Sequence, residues 1–125
     1  MENSILAPAL LLRSIGMHPR YKGYAYVQFI LSLILKKPEY LYNMRGIVYP
    51  KVIERFGCTQ AGIERNIRFV VQKTFENGNA ERLEYLFGDK KFWPPTNTEF
   101  IAVLAQSILF ELDEFSGEKD FAVVK

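Results

Sequence analysis

A chain of 125 residues with 49% hydrophobic, 14% aromatic and 24% charged residues has the balance of one compact domain, too apolar for a disordered or fibrous chain. One cysteine, Cys58, and one histidine, His18, exclude disulfide frameworks, four-ligand Cys/His zinc sites, CxxC redox pairs and any chemistry needing two histidines. The formal net charge of +2 hides an asymmetry: residues 1–96 hold 14 Lys/Arg against 8 Asp/Glu and residues 97–125 hold 2 against 6, so a basic body that suits a polyanion precedes an acidic end.

Apolar residues recur at helical spacing almost throughout, with few alternating stretches and no internal repeat, which predicts an all-α domain of about six helices over residues 1–115 and a flexible tail over 116–125. Asn3 or Ser4 can cap a first helix running to Ile15, with Pro8 tolerated near its start and Gly16 at the position that favours left-handed backbone. Nothing in this stretch reads as a leader: Glu2 precedes it instead of a basic cluster, and Arg13 closes it. Pro19 suits the first turn of a second helix that continues to Lys37, where two lysines complement the dipole and Pro38 stops it. Tyr24, Val27, Ile30, Leu31, Ile34 and Leu35 form its core stripe. The uncharged run from Gly23 to Leu35 is too short to span a bilayer, so no membrane partner and a cytoplasmic location are expected.

After a turn over Pro38 to Asn43, Pro50 opens a short helix through Val52, Ile53 and Phe56, which Gly57 ends. Another helix starts at Thr59 and runs to about Glu76, where Asn77 and Gly78 end it; Asn79 then caps a two-turn helix closing at Phe87 before Gly88. Asp89 to Pro95 reads as an exposed loop. Thr96 and Glu99 form a capping box, each side chain reaching the other's backbone N–H, and launch a last helix through Phe100, Val103, Leu104, Ile108 and Leu112.

The segment Tyr49 to Lys73 carries most of the functional information. A short helix, a turn at Phe56-Gly57-Cys58 and a longer helix make a helix-turn-helix pattern, with Gly57 supplying the positive φ of the turn and Val52, Phe56, Cys58 and Ile63 filling the angle. Ile53 stands where such motifs prefer a small residue. On a helical projection Ile63, Ile67, Val70 and Val71 share one stripe, and Ala61, Glu64, Arg65, Arg68, Phe69 and Gln72 spread over the opposite face. In a major groove, arginine donates two hydrogen bonds to guanine, glutamate accepts from cytosine, and small residues such as Ala61 and Gly62 admit close backbone approach. Six basic residues (Arg45, Lys51, Arg55, Arg65, Arg68, Lys73) face two acidic ones between Asn43 and Phe75, the footprint expected where phosphates are met. Each feature also has a plainer reading. Glu64 and Arg68 can form an i,i+4 surface pair, Phe69 can be covered by another part of the domain, Lys90 and Lys91 can be a solvated loop, and Trp93 can be a packing anchor.

The ordered series Ile15-Gly16, Lys22-Gly23-Tyr24, Val48-Tyr49-Pro50, Ile63-Glu64-Arg65, Ile67-Arg68, Gly78-Asn79, Leu86-Phe87-Gly88, Pro95-Thr96-Asn97 and Glu99-Phe100-Ile101-Ala102 closely resembles the C-terminal effector domain family of stage zero sporulation protein A, over about residues 12 to 115. That resemblance implies a six-helix domain whose fourth helix enters the major groove of a short promoter box, as tandem copies, with double-stranded DNA, a second copy and RNA polymerase as partners. By position, Glu64 and Arg65 match the family's base-reading pair and Arg68 matches an arginine that holds the DNA backbone. Ala61 and Gly62 stand where the best-known members have serine and arginine, and Phe69 where they have histidine. The full-length family has a preceding receiver domain that does not fit within 125 residues, so the chain is expected either to act by itself or to be a piece of a longer regulator.

Expected base-reading residues are Glu64, Arg65, Ala61 and Gly62. Expected backbone or flanking contacts are Gln60, Arg68, Phe69, Lys73, Lys51, Arg55, Lys90 and Lys91. No cofactor or metal is expected. The alternative is a helical protein-interaction module with weakened DNA binding, pairing through its acidic last helix; an enzyme has least support, because no nucleophile with a base or phosphate-cradling loop is present.

Overall fold

The computed structural model describes residues 3–116, with side chains described for 7–110, and among them it is all-α. Six α-helices follow in order: α1 (Asn3–Ser14), α2 (Lys22–Lys36), α3 (Tyr49–Phe56), α4 (Gln60–Asn77), α5 (Ala80–Phe87) and α6 (Asn97–Ser116). Short 3₁₀ turns occupy Pro38–Tyr42 and Lys90–Phe92, and a π-turn occupies Met44–Val48. Except for Ser116, the expected C-terminal tail lies outside the described residues, as does the side chain of Leu112.

Helix α2 is the hub, packing against α1, α4 and α6. Its buried residues include Tyr26, Val27, Ile30, Leu31 and Ile34, so the predicted stripe holds, although Tyr24 and Leu35 lie at its edge and Tyr26 takes a fully inward place. Gly23 explains how closely α2 and α4 meet. A Cβ there would collide with the backbone carbonyl of Asn66 and stand 2.6 Å from Val70 Cγ1. The absence of a side chain on α2 therefore sets the depth at which α4 is seated.

Pro19 does not open α2. Tyr21 is extended (φ −88°, ψ 141°) and precedes the helix, which starts at Lys22. Pro19 instead belongs to a turn in which the His18 ring nitrogen Nδ1 accepts from the Arg20 N–H at 3.1 Å. The φ that suits Pro to a first helical turn also suits it to the second position of a β-turn, so local sequence does not separate the two.

The remaining boundaries follow the capping chemistry. Gly57 has φ +66° and closes α3, as the turn requires. Asn79 accepts from the Arg82 N–H at 3.1 Å to start α5, and the reciprocal Thr96–Glu99 bonds, 3.0 and 3.1 Å, start α6. Asp89 to Pro95 is more structured than a solvated loop: Trp93 Nε1 donates to Gly88 O at 3.0 Å, and its ring meets Phe75 edge-on at 5.0 Å. Phe75, Phe87 and Phe100 complete an aromatic cluster joining α4, α5 and α6.

Candidate nucleic-acid interface

The candidate interface is built on α4 and what surrounds it. Thr59, extended at φ −114°, caps the helix by accepting from the Gly62 N–H at 3.0 Å, an arrangement that stabilises a helix start by about 1 kcal/mol. Ile63, Ile67, Val70, Val71 and Thr74 are buried, and the Thr74 hydroxyl is satisfied by Val70 O at 2.7 Å. Opposite them Ala61, Arg65, Phe69 and Gln72 are exposed, while Glu64 and Arg68 are half-buried. The 3.6-residue period thus separates the two faces correctly.

Arg65 is exposed and makes no hydrogen bond or ion pair among the described residues. It lines an open groove of about 430 Å³ with Lys22, Tyr26, Thr59 and Asn66, at the junction of α2 with the start of α4. Gln60 is half-buried in the first turn and Ala61 is exposed beside it. Gly62 is buried, yet nothing crowds it except its own cap: a Cβ would stand 3.1 Å from Thr59 Oγ1.

Glu64 and Arg68 do not pair with each other. Arg68 Nη1 donates to Pro95 O at 3.0 Å, and the Glu64 carboxylate lies 3.4 Å from Arg45 Nη2. The backbone oxygen of Glu64 accepts from Asn97 Nδ2 at 2.9 Å. Two turns of α4 are therefore tied to the entry of α6, which fixes the helix rotation about its own axis. Arg45, Glu64, Tyr49, Thr96 and Asn97 line an open cleft of about 280 Å³. Tyr49 is buried there. Its phenol is raised above the usual tyrosine value by burial first, then by the Glu64 charge, with Arg45 opposing.

Phe69 is partly covered. It is 45% exposed, meets Tyr21 edge-on at 5.4 Å, and carries the Lys73 ammonium 5.5 Å from its ring centroid. Lys73 also stands 3.7 Å from Glu76 Oε1 and borders an open cleft lined by His18, Arg20 and Tyr21. On α3, Lys51 and Arg55 are exposed; Lys51 lies 5.9 Å from the Tyr40 ring, and Arg55 covers Phe29 and Phe56 at 5.9 and 5.6 Å. Phe56 itself turns toward Tyr26 and Phe29 on α2. Lys90 and Lys91 are exposed in their 3₁₀ turn, next to Trp93 and Phe92.

The fold brings Arg45, Glu64 and Arg65 onto one end of α4, with Lys22 alongside, and Lys73 with Arg20 onto the other. Sequence reading counted Arg45 only in the basic window and assigned no site role to Arg20 or Lys22. Their proximity depends on α2 crossing α4 at Gly23 and on the turn before α3, neither of which leaves a local signal. Among the described residues no cluster of potential metal ligands occurs, and no helix is long and apolar enough to cross a membrane.

A short helix, a positive-φ glycine turn and a helix with a polar outer face bearing the exposed Arg65 make a helix-turn-helix. The family described as sporulation initiation factor Spo0A, C terminal, matches residues 9–108. The chain belongs to this family. The Spo0A C-terminal family is one of DNA-binding regulatory effector domains of sporulation, and not an enzyme family. The matched span contains every interface residue named above, from the α1–α2 turn to the start of α6.

Proposed function

We propose that this chain binds double-stranded DNA sequence-specifically and regulates transcription, laying α4 in the major groove. The observation that carries this reading is the exposed Arg65, unpaired among the described residues, on the outer face of a capped helix whose inner face is fully buried. Arg65 and Glu64 read base edges, and Ala61 with Gly62 admits the backbone. Lys51, Arg55, Lys73, Lys90 and Lys91 supply phosphate contacts, and Gln60 and Phe69 flank them. Arg68, tied to Pro95 O, serves chiefly to hold the helix. Tandem copies on one site and contact with RNA polymerase belong to the same proposal.

Selection of bound sequences from a random duplex pool, followed by titration of the winner at two salt concentrations, tests it. A recurrent short motif and a steep loss of affinity with salt are expected. Recovery of no motif, with little duplex binding at either salt, would favour a protein-interaction module instead.

A further inference from the structure

Arg45 contributes to the basic window in the sequence, but its place in the fold gives it a more specific part. It sits in the π-turn Met44–Val48, which is pinned by the Asn43 side chain accepting from the Gly46 N–H at 3.1 Å. A Cβ at Gly46 would meet the end of the Asn43 side chain and push this cap aside. The turn carries the Arg45 guanidinium to 3.4 Å from Glu64 Oε2 while leaving the Arg45 side chain 77% exposed.

Glu64 needs such a neighbour if it is to read DNA. Its backbone is held by Asn97, but its side chain has three rotatable bonds and is 36% exposed. A carboxylate on a surface that meets phosphates is repelled by them, and an unrestrained one loses conformational freedom on contact with a base. Arg45 counters both effects, because its planar guanidinium restrains the carboxylate and carries the opposite charge.

We propose that Arg45 is a positioning residue for sequence readout, orienting the Glu64 carboxylate toward its base edge and offsetting its charge beside the DNA. This rests on the DNA-binding reading above.

The test uses the duplex selected by the wild-type chain and a panel carrying each single base-pair change. Glu64→Ala should abolish discrimination at one base pair, which identifies the pair Glu64 reads. Arg45→Ala should lower discrimination about tenfold at that same pair and leave the others unchanged. The double variant should match Glu64→Ala alone, since the two residues act as one unit. Arg45→Lys, which keeps the charge without the planar fork, should recover part of the loss. Equal thermal midpoints of the single variants and the wild type would verify folding, which the exposure of Arg45 favours. An Arg45→Ala loss spread evenly over the panel, no loss, or a loss that adds to that of Glu64→Ala would overturn the proposal while leaving DNA binding intact. A wild-type chain that selects no duplex would overturn the DNA-binding reading itself.

Discussion

Arg68 Nη1 donates to the carbonyl oxygen of Pro95 at 3.0 Å, across 27 residues of chain. The bond joins the middle of α4 to the segment that enters α6, one turn along α4 from the Asn97–Glu64 contact. Together they clamp α4 against rotation. Arg68→Ala should therefore destabilise the domain by about 1.5–3 kcal/mol, the value of a charge-assisted hydrogen bond, and weaken duplex binding through helix position. Urea denaturation checks the first effect. An Arg68→Ala variant with unchanged urea midpoint but weaker DNA binding would show that Arg68 contacts phosphate instead.

Arg65 and Lys73 should separate base reading from charge. Arg65→Ala is expected to cost about 1–3 kcal/mol on the selected duplex and to relax preference at one position. Lys73→Ala should weaken all duplexes alike and reduce the slope of log affinity against log salt by about one. Fluorescence anisotropy on matched and mismatched duplexes at several salt concentrations measures both.

Gly23→Ala should be among the more damaging one-carbon changes in the fold. The added methyl would press on the Asn66 backbone and on Val70 Cγ1, 2.6 Å away, forcing α2 and α4 apart. Overpacking of this kind costs roughly 1–3 kcal/mol, read as a lower urea midpoint. Duplex affinity should fall as well, because Lys22 and Arg65 share the groove at this crossing.

Tyr49 sets an alkaline limit. Its pKa is raised in the folded chain, so the folded state retains the phenolic proton at pH values where the unfolded chain loses it. Stability is fully present below the ordinary tyrosine value of about 10 and declines as pH rises through the folded-state value. Replacing Tyr49 with Phe should flatten that decline. Thermal melts from pH 8 to 11 provide the comparison, and an identical slope in the variant would remove Tyr49 as its source.

Much of the fold was legible in local chemistry. Thr59, Asn79 and the Thr96–Glu99 box start their helices because a side-chain acceptor beside an unsatisfied N–H is a short-range event. Gly57 closes α3 with φ +66° because the turn needs a left-handed residue wherever the rest of the chain lies. Pro19, expected in the first turn of α2, lies in the turn before it, since one fixed φ serves both structures. Trp93 in its predicted loop is held by Gly88 O and Phe75, a partner from α4 that no local pattern names.

An all-α domain, the two faces of α4, the basic window and the place of Glu64 and Arg65 on the outer face of that helix were legible from the residues alone. All of these follow from periodicity, capping and charge, which act over a few residues. What each charged group meets depends on how the helices close on one another. Glu64 and Arg68, four apart on one helix, look like partners, yet Arg45 takes the first and Pro95 the second. The reason is geometric: partner choice depends on how α2, the π-turn and the entry to α6 close around α4, and such long-range contacts have no fixed spacing along the chain.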